Sequence, residues 1–147
     1  METDHILLVE DNEDDFELLR IVLEHAGIET PLHWVQTADA AIEYLSGEDG
    51  YAGSSHHPLP RLIFVDLKLP GKSGHEFLDW LNSRPELADI VRVVLTGSDD
   101  PQDRRMAGQL GASCYLIKPL TVEQLTNPSR SLRMFFASSG TPAATSA

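Results

Sequence analysis

Short apolar runs alternate along the chain with segments whose apolar residues recur three or four positions apart, the pattern of buried strands each followed by an amphipathic helix. The run at residues 5–9 predicts a first strand; Phe16, Leu19, Leu23 and Ala26 then share one helical face, and Gly27 marks its stop. Residues 32–35 predict a second strand, weakened by a histidine and a tryptophan, and Ala38, Ala41, Ile42 and Leu45 line the helix after it. The segment 46–60, SGEDGYAGSSHHPLP, has the composition of a loop. The run LIFV at 62–65 predicts a third strand that leads straight into Asp66 and, shortly after, a Pro-Gly turn. A helix over 75–84 follows, with Phe77, Leu78 and Leu81 facing inward and Pro85 closing it.

Residues 90–95 predict a fourth strand. Asp100 before Pro101 reads as a helix cap followed by a first-turn proline, and Met106, Ala107 and Leu110 supply that helix with an apolar face before Gly111. A fifth strand over 113–117 runs into Lys118-Pro119, and Thr121 with Gln124 has the spacing of a capping box, stapled by Leu120 and Leu125. Pro128 interrupts the helix so begun, at a cost of about 3 kcal/mol, so a kink or a restart at Asn127-Pro128 is expected. The restarted turn presents Leu132, Phe135 and Phe136 to the core, and the tail 138–147 lacks the apolar content to pack. Five strands alternating with five helices predict an α/β fold, a doubly wound parallel sheet with helices on both faces. Ligands of such sheets lie beyond the carboxyl ends of the strands, where the strand order reverses.

Polar residues stand at those ends. Strand one leads into Glu10 and Asp11, strand three into Asp66, strand four ends near Thr96, and strand five leads into Lys118. If strands one and three are neighbours, three carboxylates meet, which is costly unless a cation neutralises them or one stays protonated. A hard divalent ion such as Mg²⁺ suits that donor set. A threonine hydroxyl and a lysine ammonium suit phosphoryl oxygens, which leaves one carboxylate available as a nucleophile.

Composition narrows the function classes. A formal net charge of −12 argues against a phosphate-backbone-binding surface, so no nucleic-acid partner is expected. With one cysteine, Cys114, an acidic N-terminus and no apolar run long enough to span a bilayer, the chain reads as cytoplasmic, without a membrane partner.

VEDN near the start, VDLKLPGKSG in the middle, VLTGS later and CYLIKP near the end resemble, in order and position, the receiver domain of two-component response regulators. The resemblance covers residues 4–137 and implies a flavodoxin-like sheet with strand order 2-1-3-4-5. It also implies that Asp66 accepts a phosphoryl group from a sensor histidine kinase, and that Glu10, Asp11, Asp66 and the Lys68 backbone carbonyl bind Mg²⁺. Lys118 would contact the phosphoryl group, the bond to Pro119 would be cis, and Thr96 and Tyr115 would form the switch. The longer loop at 46–60, the single-domain layout and the Phe135-Phe136 ending resemble regulators that pair with bacterial phytochromes. The expected kinase is then a bacteriophytochrome, with a downstream protein unknown from sequence and a homodimer among the expected assemblies.

Blander readings compete. Glu13, Asp14 and Asp15 fit the first turn of a helix, where carboxylates are favoured by about 0.3–1 kcal/mol each. Tyr115 divides evenly between a core aromatic and a switch, and Cys114 reads as a small buried hydrophobe rather than a nucleophile. His56 and His57 lack further ligands at zinc spacing. Two other functions compete with the receiver. A metal-dependent aspartyl phosphatase would carry a second acid two positions after the nucleophile, where this chain has Lys68; a flavin protein would need a phosphate loop after strand one, which is missing. A receiver-fold binding module that is never phosphorylated is the third alternative.

Overall fold

Strands and helices alternate through residues 5–47 and 58–126, the residues described by the computed structural model. In order they are β1 (Ile6–Val9), α1 (Glu13–His25), β2 (Leu32–Val35), α2 (Ala38–Ser46), β3 (Leu62–Val65), α3 (Gly74–Asn82), β4 (Val91–Thr96), α4 (Pro101–Gln109), β5 (Cys114–Ile117) and α5 (Val122–Thr126), with a 3₁₀ turn at Pro85–Leu87. All neighbouring strands are parallel, and the sheet order is β2-β1-β3-β4-β5. Both β1 and β3 are buried along their whole length, as a central parallel strand covered on both faces must be. Each large apolar side chain so enclosed contributes about 1.5–3 kcal/mol.

The side chains of the sheet alternate between two cores. Leu7, Val9, Ile63, Val65 and Val94 pack with α2, α3 and α4, whereas Ile6, Leu8, Phe64, Val93 and Leu95 pack with α1 and with Leu125 of α5. Helix starts are set by short polar caps. Asn12, Thr37 and Asp100 accept backbone N–H groups of α1, α2 and α4, and Ser73 forms a full capping box with Glu76 on α3. Thr121 and Gln124 exchange the hydrogen bonds that their spacing predicts.

Two side chains depart from the periodicity. Met106, expected on the inner face of α4, is 48% exposed, because α4 meets the sheet through Ala107 and Leu110 and Met106 lies about 100° round the helix from Ala107. Arg92 is buried inside β4, where it donates to the carbonyls of Ile90 and Leu87 (both 2.8 Å) and to Asn82 Oδ1 (3.1 Å). Burial pushes its guanidinium pKa down from the ordinary arginine value. These bonds tie the 3₁₀ turn to the sheet and satisfy the charge that burial would otherwise penalise. The predicted kink at Pro128, the inward Leu132, Phe135 and Phe136, the tail 138–147 and the pair His56-His57 lie outside the described residues.

Candidate functional site

The register of β1 and β3 builds the site. Val9 pairs with Val65, so the next residue of each strand, Glu10 and Asp66, emerges at adjoining carboxyl ends. The Asp66 amide donates to the Val9 carbonyl (3.1 Å) and the Glu10 amide to the Val35 carbonyl (3.0 Å), which anchors both backbones before the chain turns away. Glu10 and Asp66 are buried, Asp11 is exposed, and one carboxylate oxygen from each lies within 4.8 Å of the others. The expected convergence of three acids is present.

Lys118, just beyond β5, closes the cluster. Its Nζ donates to Glu10 Oε1 (2.8 Å), Asp66 Oδ2 (2.7 Å) and Asp15 Oδ2 (2.7 Å). Burial by itself pushes the ammonium pKa down, but its hydrogen bonds to Asp15, Asp66 and Glu10 outweigh it and hold the group well above the ordinary lysine value. The Glu10 carboxyl pKa is also raised, for the opposite reason: desolvation prevails there over the hydrogen bond and charge of Lys118 and a bond from the Asn12 amide. The Lys118–Pro119 peptide is cis, and the Lys118 amide donates to the Thr96 carbonyl (2.8 Å).

Asp15 was not among the expected site residues. Its position in the first turn of α1 already has an explanation in capping and the helix dipole, so nothing in the sequence points to its bond with a lysine 103 positions away.

The remaining expected residues surround this centre. The Lys68 amide donates to Asp66 Oδ1 (3.1 Å), so each oxygen of Asp66 has a partner. Thr96 is fully buried, and its hydroxyl oxygen accepts a long bond from the Ser98 amide (3.4 Å). Tyr115 is half-buried; its hydroxyl donates to the Ser98 carbonyl (3.0 Å), and the Arg104 guanidinium lies 4.6 Å from its ring centroid. Cys114 is also half-buried, packed beside the α1–α5 core. Gly74 supports the site from below. A Cβ there would overlap the Asp66 carbonyl oxygen and approach Leu67 Cα to 2.6 Å, so the start of α3 packs directly on the backbone that carries Asp66.

The donor chemistry fits a small, hard divalent cation. The three converging acids offer only oxygen, two of them are buried, and together with Asp15 they outweigh the single ammonium that faces them.

Residues 6–129 match the family model of the response regulator receiver domain. The chain is 38% identical over 120 residues to the probable methanogenesis regulatory protein FilR2 of Methanothrix harundinacea, covering 82% of this chain and 75% of that one. It is 35% identical over 131 residues to the response regulator Rcp1 of Synechocystis sp., covering 89% of this chain and 87% of the relative. The solved Mn²⁺-bound form of Rcp1 aligns with a TM-score of 0.70 and 32% identity, over 97% of each chain. The phosphorylated cyanobacterial phytochrome response regulator RcpA aligns with a TM-score of 0.73 and 31% identity, over 96% of this chain and 99% of that one. The match over residues 6–129, on a sheet of order 2-1-3-4-5 with the acidic cluster at its switch point, identifies this chain as a member of the response regulator receiver domain family.

Proposed function

We propose that this receiver accepts a phosphoryl group on Asp66 from a phosphohistidine of a sensor histidine kinase and signals by binding a downstream protein in the phosphorylated state. The observation that carries the reading is the environment of Asp66: a buried carboxylate at a strand end, bonded to Lys118 at 2.7 Å and grouped with Glu10 and Asp11 within 4.8 Å. In the transfer an Asp66 oxygen attacks phosphorus, the P–N bond breaks, and the imidazole leaves with that electron pair. Glu10, Asp11, Asp66 and the Lys68 carbonyl would hold Mg²⁺, which when bound supplies charge neutralisation for the phosphoryl oxygens. Lys118 contributes a point charge to the same oxygens, and the Thr96 hydroxyl donates to them after leaving Ser98.

The bond of Tyr115 to Ser98 and the contact of Arg104 with the Tyr115 ring support a switch on the face of β5 next to α4. Phosphorylation can act there only through a difference in its interaction with two conformations. The likeness to the cyanobacterial phytochrome response regulator RcpA supports a bacteriophytochrome as the kinase, and a cytoplasmic role is part of the proposal. No helix among the described residues is long and apolar enough to cross a membrane. A homodimer is part of the proposal.

The test is direct. After incubation with Mg²⁺ and acetyl phosphate, intact mass of the wild type is expected to rise by one phosphoryl group and that of Asp66→Asn to stay unchanged. An unmodified wild type sinks the mechanism, and an equally modified variant sinks the site. Rapid hydrolysis of a phosphate ester by the wild type would favour a phosphatase instead.

A further inference from the structure

The tryptophan that interrupts the second strand reaches the acidic cluster from its flank. Trp34 pairs with Leu8 across the β1–β2 ladder, and its indole Nε1 donates to the backbone carbonyl of Glu10 at 2.6 Å. That carbonyl belongs to the peptide joining Glu10 to Asp11. The ladder between β1 and β2 has ended there, its last bond running from the Glu10 amide to Val35, so a side chain takes over where strand pairing stops. The indole in turn lies flat against Phe16 of α1, with ring centroids 4.2 Å apart and planes at 6°. The contact between β2 and the start of α1 thereby limits rotation of the donor.

Rotation of the Glu10–Asp11 peptide moves both carboxylates it carries, and these are two of the three that converge within 4.8 Å. We propose that Trp34 is a positioning residue for the cation-binding acids, holding the Glu10–Asp11 peptide in the orientation that brings their oxygens together with Asp66, and that Phe16 clamps it. This rests on the reading of the acids as a divalent-cation site. A purely packing role for Trp34 would need its rings but not its N–H group.

Mn²⁺ binding, followed by the electron paramagnetic resonance of the free ion, separates these roles. Trp34→Phe keeps an aromatic ring against Phe16 and loses the donor; its Kd for Mn²⁺ is expected to rise about tenfold, the lower end of what loss of a ligand-supporting hydrogen bond costs. Leu32→Ala, at the opposite end of β2 and within the same core, is expected to lower the unfolding midpoint and leave the Kd unchanged. An unchanged Kd in Trp34→Phe overturns the proposal, as does an equal weakening in Leu32→Ala. If circular dichroism shows that Trp34→Phe does not fold, Phe16→Leu keeps the donor but releases the clamp; weaker Mn²⁺ binding is expected there, and an unchanged Kd is the overturning result. Absence of saturable Mn²⁺ binding by the wild type overturns the cation reading together with this one, whereas failure of the variants alone leaves that reading standing.

Discussion

Lys118 shows how one residue is balanced between opposing effects. Desolvation works against its charge, yet three carboxylates accept its hydrogen bonds, and its folded pKa stands above the unfolded value of 10.5. The folded chain therefore holds this proton more tightly. The resulting stability is fully present below pH 10.5 and is lost as pH rises through the folded value. Asp15→Asn removes the charge of one acceptor and is expected to cost about 1 kcal/mol at neutral pH, after discounting for the partial exposure of Asp15. Urea unfolding at neutral and alkaline pH checks both statements: above pH 10.5 the wild type should lose stability more steeply than the variant. Asp66 and Lys118 were legible as candidates because polar residues following several apolar runs fall together at the strand ends, although either alone has a bland explanation. Asp15 was not, since a carboxylate in a first helical turn already has one, and its bond to Lys118 exists only once the sheet has assembled.

At the scale of elements, the alternation of apolar runs and helical faces was readable because parallel strands buried on both sides leave continuous apolar stretches, as at residues 62–65. The side of α4 that faces the sheet was less readable, because a nine-residue helix with one fully buried residue leaves its periodicity weakly determined. Arg92 went unmarked for a different reason: its bonds run to the Leu87 carbonyl of the 3₁₀ turn, to the Ile90 carbonyl just before β4 and to Asn82 of α3, an arrangement that apolar periodicity does not encode. The close approach of α3 to Asp66 yields a prediction for an element rather than a side chain. Gly74→Ala forces the helix start away from the Asp66–Leu67 backbone and is expected to cost about 1–3 kcal/mol, the usual range for overpacking. Ser73→Ala at the neighbouring cap should cost about 1 kcal/mol. Urea denaturation measures both losses, and of the two only Gly74→Ala should also slow the proposed acetyl-phosphate labelling of Asp66, because it alone shifts the Asp66 backbone.

For the molecule as a whole, a formal charge of −12 means that a bound divalent cation relieves both local and general repulsion. Binding to the folded state alone stabilises it by about 2.7 kcal/mol when the free ion stands at one hundred times its Kd, which for a domain of this size is several degrees in Tm. Calorimetry with and without Mg²⁺ should show that rise in the wild type and little of it in Asp11→Asn. The topology also orders events in time. Lys118 lies 103 positions after Asp15 and 52 after Asp66, so a growing chain makes every acid of the cluster well before the ammonium that joins them. Until β5 docks at the edge of the sheet, those acids lack the ammonium that joins them. Assembly of the four-residue cluster is therefore a late event in the life of the chain, tied to the docking of its fifth strand.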